Sequence, residues 1–156
     1  MRIEIDVERR LGTFELRTDC SSDAAVTALV GRSGCGKSTV LNLVAGLLRP
    51  DRGRIAIGER VLFDSTSGID LAPEKRRVGY VFQDGLLLPH LSVRRNLVYG
   101  RWFTAAAERW ADFDKIVALL DLAPLLEPRP HRLSGGEKQR VAIGRALLAS
   151  PQILLM

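Results

Sequence analysis

Ile3, Ile5 and Val7 alternate with charged residues, and Phe14 and Leu16 resume the alternation after Leu11-Gly12. This period-two pattern predicts an antiparallel hairpin with one wet face, a flank or lid rather than the centre of a fold. Residues 24–30 are nearly all apolar, as expected of a strand buried on both faces of a parallel sheet. A glycine-rich turn follows at once. After Lys37, residues Val40, Leu41, Val44 and Leu47 recur at helical spacing until Arg49-Pro50-Asp51-Arg52-Gly53 stops the helix. The order strand, loop, helix is set within the first third of the chain.

Short β segments are predicted at 54–57, 61–63 and 78–82, with a charge-rich link over 64–77. From about 86 to 126 the pattern turns helical, with Ile116, Val117, Leu119 and Leu120 as an apolar face, and Pro124, Pro128 and Pro130 end it. A final helix is predicted from Gly136 to about Ala149. Pro151 and the apolar run Ile153 to Met156 then look like the opening of another buried strand. The expected fold class is therefore α/β: a mixed or parallel sheet with an N-terminal antiparallel flank and a helical subdomain at about 86–135.

At 156 residues with 46% hydrophobic content the chain is one globular domain or part of one. Charged residues, Gly or Pro interrupt every apolar stretch before the roughly 18 residues a membrane span needs. The first residues, Met1-Arg2-Ile3-Glu4-Ile5-Asp6, lack the apolar block of a secretory signal, so a cytosolic protein is expected. Cys20 and Cys35 have no metal-ligand spacing and are expected to be reduced thiols. The formal net charge of +5 could favour a polyanion. The arginines, however, fall in scattered pairs (Arg9-Arg10, Arg76-Arg77, Arg94-Arg95) without interleaved aromatic residues. A solvated surface is the better reading, and no nucleic acid is expected.

Gly31-Arg32-Ser33-Gly34-Cys35-Gly36-Lys37-Ser38 has the spacing Gly, four residues, Gly-Lys-Ser, between a predicted buried strand and a helix N-terminus. Glycines let successive backbone N–H groups turn inward as a nest, and the helix dipole adds partial positive charge where phosphate oxygens would lie. Lys37 should reach the β and γ phosphates, and the Ser38 hydroxyl should ligate Mg²⁺. Thr39 is expected to add a phosphate contact. A second glycine motif, Leu133-Ser134-Gly135-Gly136-Glu137, opens the last helix. Ser134 with Glu137 three residues on reads as a capping box. Two glycines directly after the cap exceed what capping needs, so close approach of another group to this N-terminus is the sharper reading.

With both motifs in view, the sequence resembles the ATP-binding subunits of ABC transporters. Residues 31–38 match their phosphate loop, 133–137 their signature motif, and Gln83 the glutamine that follows a strand between them. The resemblance extends over essentially the whole chain to the ATP-binding proteins of molybdate importers. It is carried by Arg10-Leu11-Gly12-Thr13-Phe14, Leu47-Leu48-Arg49-Pro50-Asp51-Arg52-Gly53, Val61-Leu62-Phe63-Asp64, Gly79-Tyr80-Val81-Phe82-Gln83-Asp84 and Leu88-Pro89-His90-Leu91-Ser92-Val93.

What the resemblance implies is a P-loop NTPase of ABC type that binds ATP and Mg²⁺ and hydrolyses ATP to drive import of an oxyanion. Molybdate is the leading cargo and sulfate an alternative. It implies a head-to-tail homodimer in which Ser134, Gly135 and Gly136, with Glu137, face the nucleotide held by the partner's phosphate loop. Gln83 would sense Mg²⁺ and the attacking water. Arg10 or Phe14 could meet the adenine, or serve only the hairpin. Integral membrane permease subunits are implied partners, with a periplasmic or extracellular oxyanion-binding protein acting through them. The implied location is peripheral, on the cytoplasmic face of the plasma (inner) membrane.

The family also places acidic residues after a second apolar strand. Ile153 to Met156 supplies such a strand without them, so the expectation is a cassette incomplete at its C-terminus and inactive alone. Asp64 and Asp84 follow apolar segments but precede the signature motif, the wrong order for that role. His90 and His131 likewise sit too early for the family's later histidine. An ATP-binding or interaction fragment without turnover stays open as the alternative.

Overall fold

The computed structural model describes residues 1–156, which divide into two compact units, Met1–Arg76 and Arg77–Met156. In the first, β1 (Ile3–Leu11) and β2 (Phe14–Ser22) form the predicted hairpin, in register from Leu11 opposite Phe14 to Ile3 opposite Ser22. β1 also pairs antiparallel with β3 (Arg52–Ile57), which pairs with β4 (Arg60–Asp64), and β4 pairs with the short β5 (Ile69–Asp70). The resulting five-stranded sheet has the order β2-β1-β3-β4-β5. Alternation does its expected work on β1, where Ile5 and Val7 are buried and Asp6 between them is exposed. Ile55, Leu62 and Phe63 continue this core, and Val40, Leu43 and Val44 bury the inner side of α1 (Lys37–Ala45).

The predicted central strand over 24–30 does not form. The segment is irregular and open to solvent, with Val26 87% and Val30 93% exposed. A strand apolar on both faces is stable only with hydrogen-bonded neighbours and layers covering it. Neither sheet includes these residues. The helix after Lys37 also stops earlier than the predicted breaker: Gly46 takes a left-handed φ of 79° and its N–H donates back to Asn42 and Leu43.

In the second unit, β6 (Val78–Tyr80) and β7 (Ile153–Leu155) pair in parallel, Val78 opposite Ile153. Between them in sequence lie α2 (Val93–Val98), α3 (Phe113–Leu119) and α4 (Gly135–Leu148), joined by turns of 3₁₀ helix. Their core is Val93, Leu97, Ile116, Val117, Leu122, Val141 and Leu148. The predicted apolar face of α3 is narrower than expected. Ile116 and Val117 are buried, but Leu119 is 71% exposed, because it falls well outside the arc shared by 116, 117 and 120 at 100° per residue. No helix is long and apolar enough to cross a membrane.

Candidate functional site

The loop over 31–36 leads into α1 with Gly36 as its first boundary residue, at φ 99°. Glycine has no side chain to cap the helix, so the first-turn N–H groups of α1, which have no partner within the helix itself, receive no side-chain cap from the boundary residue. Gly36 is also the point where the hairpin meets the loop: a Cβ there would lie 2.9 Å from Leu16 Cδ1 and 3.1 Å from Phe14 Cζ. Phe14 therefore borders the loop. Gly34 has φ 81°, and Cys35 N–H donates to Arg32 O at 3.3 Å, closing a tight turn. A Cβ on Gly31 would sit 2.7 Å from Cys35 Sγ.

Lys37 folds back over this turn. Its Nζ donates to Gly31 O at 2.8 Å and to Arg32 O at 2.9 Å, and stands 3.8 Å from Cys35 Sγ. The ammonium thus rests on uncharged acceptors of the loop, two carbonyls and a thiol sulfur, with no carboxylate among its partners. Arg32, Ser33, Gly34, Cys35 and Ser38 are exposed, and Thr39 is half-buried. The donors gathered here are the first-turn N–H groups of α1, one ammonium and the Ser38 hydroxyl, a set whose chemistry fits a triphosphate tail with its Mg²⁺. Cys20 and Cys35 are both free thiols, and burial pushes the Cys20 thiol up.

The other end of α1 is held by a side chain that sequence reasoning treated as surface. Arg76 is 1% exposed; Nη1 donates to Leu43 O (2.8 Å) and Val44 O (3.1 Å), Nε to Leu71 O (2.7 Å) and Nη2 to Asp70 Oδ1 (3.0 Å). Desolvation lowers its pKa, opposed by Asp70. A guanidinium at the last carbonyls complements the helix dipole whose positive end is the loop. The only sequence signal was an Arg-Arg pair at a strand edge.

In the second unit, Val81 N–H extends the parallel ladder to Leu155 O at 2.8 Å, and Gln83 follows two residues later, exposed in a turn closed by Gly85 N–H to Phe82 O at 2.9 Å. Gln83 thus stands beyond the carboxyl end of a parallel strand, where open α/β sheets place ligands. Ser134 caps α4 as predicted: its Oγ accepts from Glu137 N–H at 3.4 Å, and Glu137 Oε2 accepts from Ser134 N–H and Oγ–H, both at 2.7 Å. The Ser134 hydroxyl, then its N–H, hold the Glu137 carboxyl below its ordinary value. Gly135 and Gly136 are exposed, and a Cβ on either would meet nothing within 4 Å. Packing inside the chain does not explain why these two positions lack side chains.

Asp64 is occupied structurally. Its Oδ1 accepts from Thr66 N–H (2.8 Å) and Ser67 N–H (3.1 Å), and the Ser67 and Thr66 bonds lower its pKa. Asp84 and His90 lie exposed in turns, and His131 lies exposed in the 3₁₀ helix Pro130–Arg132.

The sequence profile of the family described as ABC transporter matches residues 18–156. A protein described as "Molybdenum import ATP-binding protein ModC" from Rhodospirillum rubrum is 60% identical over 154 residues, covering 99% of this chain and 42% of that protein. Its namesake from Mesorhizobium japonicum is 55% identical over 156 residues, covering 100% and 42%. The chain therefore spans 42% of the length of these curated relatives. Among solved structures, an ATP-binding subunit of an ABC transporter superposes with a TM-score of 0.75 at 26% identity, over 98% of this chain and 64% of that one. A dimeric ATP-binding cassette in a post-hydrolysis state, bound to ADP and Pi, gives 0.70 at 25%, over 99% and 72%.

Proposed function

The chain belongs to the ABC transporter family, and from that premise we propose that it is the nucleotide-binding part of an ATP-driven importer of an oxyanion, molybdate before sulfate. The observation that carries the reading is the uncapped N-terminus of α1, with Lys37 Nζ poised on the carbonyls of Gly31 and Arg32. A lysine held by neutral acceptors exchanges them readily for phosphate oxygens, because a charged partner makes the stronger bond. Residues 31–39 would hold the triphosphate, and Ser38 with Gln83 would attend Mg²⁺. Bound ATP supplies the free energy of its terminal phosphoanhydride. The open surface at Gly135 and Gly136 supports apposition of a second copy, head to tail, against that nucleotide. Permease subunits, an external oxyanion-binding protein and a peripheral position on the cytoplasmic face of the inner membrane complete the proposal, supported by the names of the relatives.

Titration calorimetry with Mg-ATP on the 156-residue chain tests it. Binding is expected, weakened about 10- to 100-fold in Lys37→Ala through loss of charge-assisted bonds. No heat of association, with Lys37 indifferent to replacement, would end the reading. Molybdate against sulfate uptake by cells carrying Lys37→Ala in the gene then distinguishes the cargoes. A second reading, ATP binding without turnover in these residues, is favoured by Asp64, whose carboxylate is committed to its own turn. Steady-state phosphate release abolished by Lys37→Ala would defeat that one.

A further inference from the structure

Gln83 lies in a short free stretch between two fixed ones. Before it, the ladder ends at the Val81 to Leu155 bond. After it, two side chains seize the backbone. Arg145 of α4 donates from Nη2 to Gly85 O and from Nη1 to Leu86 O, both at 2.8 Å. Asn96 of α2, fully buried, accepts from Leu88 N–H at 2.8 Å and donates to Leu88 O at 3.0 Å, Ser92 O at 3.1 Å and Leu91 O at 3.3 Å. The stretch they hold is one that would not hold itself. Gly85 has φ 67° and Leu86, which is not a glycine, has φ 40°, a conformation L side chains adopt only under outside restraint. A planar guanidinium bridges two successive carbonyls in fixed geometry, which a lysine ammonium cannot reproduce.

We propose that Arg145 is a positioning residue for Gln83: its fork locks the Gly85–Leu86 carbonyls to the helix that begins with the Ser134–Glu137 motif, leaving Gln83 and Asp84 as the mobile residues of the loop. With Asn96 fixing Leu88, the loop is fastened to two helices of the same unit. The proposal rests on the reading above that Gln83 attends the Mg²⁺-nucleotide.

Amide hydrogen exchange and ATP affinity, with and without Mg²⁺, are to be measured on the 156-residue chain and its Arg145→Met, Arg145→Lys and Gln83→Ala variants. In Arg145→Met the Gly85 amide is expected to exchange about tenfold faster, while Leu88 stays within about threefold of the parent. The gain in ATP affinity produced by Mg²⁺ should shrink as it does in Gln83→Ala, with Mg²⁺-free affinity within about twofold of the parent. Arg145→Lys should fall between Arg145→Met and the parent on both readouts.

Parental Gly85 exchange and parental Mg²⁺ response in Arg145→Met would overturn the proposal, as would acceleration spread evenly along α4. If Arg145→Met does not fold, Gly85 exchange in Arg145→Lys decides, acceleration supporting the tether and a parental rate refuting it. A parent chain that binds no ATP refutes the proposed function instead, and Gly85 exchange still judges the tether.

Discussion

Replacing Arg76 with Met keeps most of the buried stem and removes the fork. Asp70 would not be left as a buried charge: its side chain is 37% exposed and its other oxygen pairs with Arg49 Nε at 3.1 Å. Leu43 O keeps a donor in Gly46 N–H at 3.2 Å. The loss therefore falls on Val44 O and Leu71 O, each stripped of its Arg76 bond. Two such carbonyls cost about 1–3 kcal/mol each, offset in part by relief of guanidinium desolvation, so the net destabilisation is about 2–4 kcal/mol.

Urea titration at constant pH reads this as a lower midpoint with unchanged slope, and thermal denaturation as a fall of about 8 °C. The loss should persist in high salt, since the bonds are buried. Gly46 supplies an internal check. A Cβ there would lie 2.6 Å from Arg76 Nε, at φ 79°. Gly46→Ala should cost about 2–3 kcal/mol alone, but only the left-handed penalty of about 1–2 kcal/mol in an Arg76→Ala background. A stability for Arg76→Met within about 0.5 kcal/mol of the parent, or equal Gly46→Ala costs in both backgrounds, refutes the buried fork.

Three further outcomes follow from the same geometry. Gly36→Ala should lower stability by about 2 kcal/mol or more in urea titration, because φ 99° penalises a Cβ that also meets Leu16 and Phe14. Gly31→Ala should weaken Mg-ATP binding severalfold by calorimetry, on the order of 1 kcal/mol, and Cys35→Ala should restore it by removing the Sγ that the new methyl meets. Glu137 has a folded pKa below its ordinary value, so its cap contributes fully above that value and is lost as pH falls through the depressed one. Acid unfolding should accordingly show Ser134→Ala less stable than the parent at neutral pH, with the difference narrowing in acid to what the Glu137 N–H to Ser134 Oγ bond alone contributes.

Much of this was legible in local patterns. The Ile3, Ile5, Val7 alternation, the Lys37 helix and the Ser134–Glu137 box each depend on residues within a few positions of one another, so spacing alone carried them. The strand expected over 24–30 failed for the opposite reason: its apolar composition states a need for neighbours, and a strand exists only where a ladder receives it. Leu119 shows the same limit at smaller scale, since composition marked it apolar but helical phase turned it outward. What the sequence by itself determined is the glycine-rich turn before α1, the lysine that opens the helix and the capped second glycine motif, because turn and cap chemistry is short-range. Only the tertiary structure decided that Arg76 grips the end of α1 and Arg145 the Gln83 loop, 33 and 60 residues away along the chain. A long, flexible guanidinium chooses its acceptors from whatever carbonyls the fold brings near, and no local pattern encodes that choice.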